Sequence, residues 1–230
     1  MSGVSRMHAL LQPFDLGKMT LPNRIIMSPM TRGASPGGVP TAAVAAYYAR
    51  RAAGGVGTIY TESVFVNDEG TLGKFSLEGS GENRPEGWPV MFGDAPLEGW
   101  RGVVDAVHAA GGKIFPQLMH LGPHRTPAKG QSWSEIKISS PSGIWGTEAQ
   151  LALLPEEAQA VLNNPEKAMT EEEIWSVINA FAEAAANAKS VGFDGIALHG
   201  GHGYLIDSFT RPETNRRTDG WGGDLAGRMR

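Results

Sequence analysis

Short apolar runs bounded by Gly or Pro alternate along the chain with longer stretches in which apolar residues recur every three or four positions. Residues 24–30 (RIIMSPM), 56–62 (VGTIYTE), 113–120 (KIFPQLMH) and 193–200 (FDGIALHG) are short and rich in Ile and Val. They are predicted to be strands. Thr41 stands before AAVAAYYARRAA and Gly54-Gly55 after it, which reads as a capped helix with a glycine stop. The stretch EGWRGVVDAVHAAGG places Trp100, Val103, Val104 and Val107 on one stripe and ends at Gly111-Gly112. A third helix is predicted from Thr170 to Val191. It opens on a capping box of Thr170 with Glu173 and continues with Ile174, Val177, Ile178, Phe181, Ala185 and Ala188 before Gly192.

Strand, helix, strand, helix predicts parallel strands joined by crossover helices. Two long connections, about 63–98 and 121–169, follow the second and third strands. Connections of that length inside a domain are usually functional, and in parallel α/β barrels the chemistry lies beyond the strands' C-terminal ends. Side-chain parity sharpens this. Gly195, Ala197 and His199 share one face of the last strand, while Ile196 and Leu198 share the other and suit a covering helix layer. Gln117 and Met119 lie with Phe115, and Pro29 and Thr31 with Met27. Polar groups thus collect at the strand tips, at Thr31, Gln117 and His199.

Composition narrows the classes. The chain has 230 residues, 41% hydrophobic and 19% charged, with a net charge of -4 and no cysteine. Disulfides, iron–sulfur clusters and thiolate nucleophiles are excluded, and no basic face suggests nucleic acid. No apolar run is long enough for a membrane span, so a cytoplasmic location is expected. GxGxxG, GxxxxGK[ST] and HExxH are missing. No composition shift marks a linker, and residues 1–230 are expected to belong to a single domain.

The stretch IALHGGHGYLIDSF (196–209) concentrates the chemistry. His199, His202 and Tyr204 are interleaved with Gly200, Gly201 and Gly203. Imidazoles and a phenol donate hydrogen bonds and move protons, and glycines let the backbone turn sharply beside a bound group. Metal ligation and a satisfied core histidine pair are the competing readings at this point. His120, of opposite parity to Gln117, is expected to be structural. His124, in the long connection, is expected to be solvated or part of a lid. Arg216 and Arg217 are expected to anchor the loop after the fourth strand.

Three blocks, LPNRIIMSPMTRGASPGGVPT (21–41), GWRGVVDAVHAAGGKIFPQLMHLG (99–122) and GFDGIALHGGHGYLIDSFTRPETNRRTDGWGG (192–223), resemble the old yellow enzyme family. The resemblance runs from about residue 11 to the last residue. It implies an FMN-binding (β/α)8 TIM barrel, of which about four βα units, the first half, are present. It also implies NADH or NADPH as electron donor and an α,β-unsaturated carbonyl compound as small-molecule substrate. On the family's pattern Pro29, Met30, Thr31, Ser63 and Gln117 would meet the flavin, with Gln117 at its pyrimidine end. His199 and His202 would hold the substrate carbonyl oxygen, Tyr204 would protonate the substrate carbon, and Met119 would stand at a substrate position where many relatives carry tryptophan.

Asp224 is predicted to cap a short helix over LAGRMR. The resemblance places the FMN phosphate on loops after a seventh and an eighth strand, which these residues do not include. The competing functions are therefore an ene-reductase incomplete as this chain alone, a non-catalytic fragment needing a C-terminal half or a second copy, and a histidine-metal barrel hydrolase.

Overall fold

The computed structural model describes residues 9–67, 87–125, 127, 132–136 and 138–229. The described part of the 63–98 connection is thus its two ends; residues 68–86 lie outside. Contacts divide the chain into two units, one of residues 1–64, 86–118 and 183–198, the other of residues 65–85, 119–182 and 199–230. No described helix is long and apolar enough to cross a membrane.

In the first unit a hairpin of β1 (Phe14–Asp15) and β2 (Thr20–Leu21), which the apolar pattern does not predict, precedes the sheet. Its turn is closed by Asp15, whose carboxylate accepts from the amide of Gly17 at 2.7 Å. The sheet itself runs β3 (Ile26–Met27), β4 (Thr58–Phe65), β5 (Lys113–Met119) and β6 (Ala197–Leu198) in that spatial order. β3 pairs parallel with β4, and β5 parallel with β6, Gln117 opposite Ala197. All four predicted strands exist, although the first and last are two residues long.

Helices α1 (Ala42–Ala53) and α2 (Asp94–Ala109) pack together. The predicted stripe of Trp100, Val103, Val104 and Val107 is buried, with Val44, Tyr48, Ile59 and Ile114 completing the core. Each such aliphatic side chain contributes roughly 1.5–3 kcal/mol by leaving water. Phe115 explains the glycine facing it: a Cβ on Gly195 would stand 2.7 Å from the Phe115 ring. Asp194 ties the start of the sheet, accepting from Lys113 Nζ and His108 Nε2 at 2.8 Å and from the Ile114 amide at 2.9 Å. Burial pushes its carboxyl up, but these three bonds outweigh that and hold it below the usual range.

Two parity expectations are corrected. Ile196 and Leu198 are 40% and 54% exposed; among the described residues no helix layer covers that face. On α5 (Glu171–Ser190) the capping box forms, Thr170 Oγ1 accepting from the Glu173 amide and Glu173 accepting from the Thr170 amide. Of the predicted stripe, Ile174 and Ala188 are buried and Val177, Phe181 and Ala185 half-buried; Ile178 is 38% exposed, and Ala180 and Ala184 are buried in addition.

In the second unit the 121–169 connection is not structureless. It contains α3 (Glu148–Leu151) and α4 (Glu156–Val161), and Trp133, Ile136, Ile138, Ala158 and Leu162 form a core cluster. Its Ser132/Glu135 and Thr147/Gln150 capping boxes supply short-range order. Beyond β6 come α6 (Leu205–Thr210) and α7 (Leu225–Arg228), the latter capped as predicted by Asp224, which accepts from the Gly227 amide at 2.9 Å. Arg217 anchors its loop: it donates to the carbonyls of Pro141 and Met169 and pairs with Asp219. Arg216 is exposed, its amide donating to Ser142 Oγ at 2.7 Å.

Candidate functional site

The first unit assembles a polar cluster at the ends of its strands. Pro29, Met30 and Thr31 follow β3 after Ser28; Pro29 is half-buried, Thr31 exposed and Met30 51% exposed. Ser63 on β4 donates its hydroxyl to Gln117 Oε1 on β5 at 2.9 Å. With its oxygen engaged, the half-buried Gln117 amide keeps its NH2 group for an outside acceptor. The Gln117 backbone amide is held in turn by Thr61 Oγ1 at 3.3 Å. A row of exposed main chain, a hydroxyl and an aimed carboxamide suits a planar ring edged with carbonyls and ring nitrogens. Of the five cofactor candidates, Ser63 and Gln117 are thus bonded to each other, and Pro29, Met30 and Thr31 form one continuous segment, half-buried at Pro29 and exposed at Met30 and Thr31.

The second unit assembles the ring cluster. The ring centres of His199 and Tyr204 are 4.8 Å apart at 89°, those of His199 and His202 5.3 Å apart, and those of His202 and Tyr204 6.5 Å apart. His199 Nδ1 accepts from the Gly201 amide at 3.4 Å, which leaves the ring proton on Nε2, a free donor. Burial first, and the neighbouring His202 second, lower the pKa of His199 and keep it neutral. Burial raises that of Tyr204, so its phenol keeps its proton. The turn that brings the rings together has His202 at φ 60° and Gly203 at φ 79°. The Gly203 amide donates to Asp207 Oδ2 at 2.6 Å.

The expectation that His124 is solvated is corrected: the imidazole is half-buried, its ring packing against Trp145 at 4.8 Å and against Tyr204 at 5.5 Å. Burial lowers its pKa. A Cβ on Gly203 would stand 2.5 Å from His124 Nε2, so a side chain there would require the imidazole to move. His120 is structural, as its parity suggested. It is 2% exposed, its Nδ1 accepts from the Gly122 amide at 3.0 Å, and burial, helped by the charge of Arg125, lowers its pKa to about 3. Met119 is 1% exposed, so its assignment to a substrate rests on the resemblance alone.

Sequence reasoning missed Glu62, Asp207 and Tyr48. Glu62 is 1% exposed, an unusual place for a carboxylate, and its side chain accepts from two backbone amides. A charged residue inside an apolar strand was the available signal. Among the described residues no three His, Cys, Asp or Glu side chains gather at a spacing that could hold a metal ion. A groove of about 740 Å³ in the second unit, lined by Ser142, Thr147, Asn163, Glu213 and Arg216, includes none of the candidate residues.

Comparisons with known proteins bear on the family and the fold. The chain is 33% identical over 221 residues to 12-oxophytodienoate reductase 1 of Oryza sativa, covering 96% of itself and 52% of that protein. It is 36% identical over 225 residues to chanoclavine-I aldehyde reductase of Penicillium roqueforti, covering 97% of itself and 54% of that protein. The chain therefore spans about half the length of these curated relatives. Among solved structures, morphinone reductase in complex with tetrahydroNAD superposes with a TM-score of 0.73 at 31% identity, over 96% of this chain and 57% of that one. Old Yellow Enzyme from a Pichia species gives 0.74 at 28% identity, over 96% and 53%. The fold is that of the N-terminal half of a (β/α)8 barrel. With residues 9–230 matching its sequence profile, the chain belongs to the NADH:flavin oxidoreductase / NADH oxidase family, whose members work with FMN and a nicotinamide donor.

Proposed function

We propose that these residues are the flavin-ring-binding and substrate-binding portion of an NAD(P)H-driven ene-reductase that saturates the C=C bond of α,β-unsaturated carbonyl compounds. The observation that carries the reading is the convergence of three rings on one glycine-rich turn, His199 lying 4.8 Å from Tyr204 and 5.3 Å from His202. The Gly201 amide on His199 Nδ1 leaves Nε2 to donate, and burial favours the neutral imidazole and the protonated phenol. FMN, when bound, supplies the hydride. The remaining work falls to side chains of this chain. Thr31 and Gln117 orient the flavin ring, Ser63 fixing the Gln117 amide. His199 Nε2–H and His202 donate to the substrate carbonyl oxygen, where negative charge grows as the adjacent carbon is reduced. Donors already aimed at that oxygen need no reorganisation and are worth about 3 kcal/mol each. Tyr204, its proton retained by burial, passes it to the α-carbon of the enolate.

The test uses phenols, whose phenolate oxygen imitates the enolate. His199→Ala is expected to weaken a para-substituted phenol by about 100-fold. Undiminished phenol affinity, or one equivalent of zinc in the wild-type protein, would refute the assignment.

The edges of the sheet favour a second reading of the chain by itself. Ile26 on β3 and Leu198 on β6, the two outer strands, are 50% and 54% exposed. Unpaired parallel edges carrying apolar side chains invite association. On this reading the 230 residues alone are non-catalytic until further strands, from a C-terminal half or a second copy, cover those edges. A monomer on size exclusion that binds FMN below micromolar concentration and reduces an enone would exclude it.

A further inference from the structure

One dipeptide at the C-terminal end of β4 controls both polar groups that the proposed function turns toward the flavin. Ser63 holds the Gln117 amide, and its neighbour Glu62 holds the segment of Thr31. Glu62 Oε2 accepts from the amides of Arg32 at 2.8 Å and Gly33 at 3.1 Å, the two residues immediately after Thr31. Its own amide donates to Tyr48 Oη at 3.0 Å, and Tyr48 on α1 is fully buried. The main chain of Glu62 is thus held from the helix side, while its carboxylate reaches over to the segment that follows β3. Arg32 closes the arrangement, its guanidinium lying 3.3 Å above the centre of the Tyr47 ring.

A merely structural strand residue here would be apolar. Burying a carboxylate costs several kcal/mol unless hydrogen bonds compensate; burial raises the Glu62 pKa in spite of its two amide bonds, and both of those bonds go to one short turn. Gly33, at φ 60°, lets two successive amides converge on a single oxygen. An aliphatic side chain would fill the volume but would leave both amides without an acceptor.

We infer that Glu62 is a positioning residue that clamps the turn after β3 and thereby sets where Thr31 meets the flavin ring. The inference rests on the proposed flavin role of Thr31; the clamp itself does not. The experiment compares Glu62→Gln, Glu62→Asp and Glu62→Leu. Gln keeps an oxygen at the same reach, Asp withdraws it by about one carbon–carbon bond, roughly 1.5 Å, and Leu abolishes it. Amide exchange at Arg32 and Gly33, read by NMR, is expected to accelerate about 10- to 100-fold in the Asp and Leu variants, the range for a lost bond to a charged acceptor. It should stay within about threefold in the Gln variant, and the Ile59 and Ile114 amides should not change. FMN affinity, read by quenching of flavin fluorescence, is expected to fall about tenfold in Asp and Leu and to be retained in Gln.

Where the Leu variant fails to fold, the Asp variant gives the same reading. Unchanged exchange at Arg32 and Gly33 would overturn the clamp. Faster exchange with wild-type FMN affinity would overturn the positioning of Thr31. A wild-type chain that quenches no flavin fluorescence would count against the proposed function, while the exchange rates would still decide the clamp.

Discussion

The two polar clusters are built by opposite means. Around Thr31, Ser63 and Gln117 the backbone is strand or strand extension, and specificity comes from side chains bonded to one another or to main-chain amides. Around His199, His202 and Tyr204 the backbone is a turn with two successive positive φ angles, and the rings are placed by that turn and by the packing of His124 and Trp145. The first cluster depends on hydroxyl, carboxylate and carboxamide groups bonded in pairs. The second is governed by the volume of its glycines.

That contrast can be broken most severely at Gly122, where φ is 63° and a Cβ would stand 2.7 Å from the backbone of Leu205. Gly122→Val should cost about 3 kcal/mol or more, combining left-handed strain with backbone overlap. Thermal unfolding would show it, and a loss under 1 kcal/mol would mean the turn relaxes freely. Tyr204→Phe comes next. It should slow the enone half-reaction about 100-fold and leave reduction of the flavin by NAD(P)H unchanged. Stopped-flow measurement of the two half-reactions separates these, and equal slowing would reassign the phenol to cofactor placement.

His120 supplies a pH test of the second unit. Its folded pKa of about 3 lies below the ordinary value of 6.5. The unfolded chain therefore binds the proton more readily. The stability that neutral His120 contributes is present above pH 6.5 and is lost as pH falls from 6.5 toward 3. Between pH 7 and pH 5 the loss from this group should be about 2 kcal/mol. Urea midpoints at the two pH values measure it, and His120→Gln should flatten the difference. His124 and His199 shift in the same direction and would leave a smaller residual slope. The smallest effect belongs to the first cluster: Ser63→Ala frees the Gln117 amide and should lower unfolding stability by about 1 kcal/mol or less. It should weaken FMN by about fivefold in a fluorescence titration.

Local signals in the sequence located the helices well because their ends are chemically marked. The Thr170/Glu173 box and Gly54 each fix an orphan group of the backbone, independent of tertiary context. The ring cluster was legible for the same reason: glycine, imidazole and phenol leave few alternatives. What was not legible depended on tertiary partners. β4 is buried along most of its length, only Tyr60 and Ser63 being half-buried. A period of two cannot single out a buried carboxylate in a strand whose two faces are both covered. The exposure of Ile178 on α5 and the unexpected burial of His124 have a similar origin, since both are decided by partners distant in sequence.

The conformation of His202 limits what can replace it. A non-glycine residue at φ 60° restricts the alternatives to those whose short polar side chains tolerate the left-handed region, chiefly Asn, Asp and Gly. Of these, Gly offers no side-chain donor and Asp, when ionised, only accepts. Asn alone would satisfy the backbone and still present N–H to an oxygen. The backbone at this one position thus acts as a filter on sequence drift. Asn can enter without refolding the turn, whereas Val or Ile would be rejected by the main chain before any question of catalysis arose.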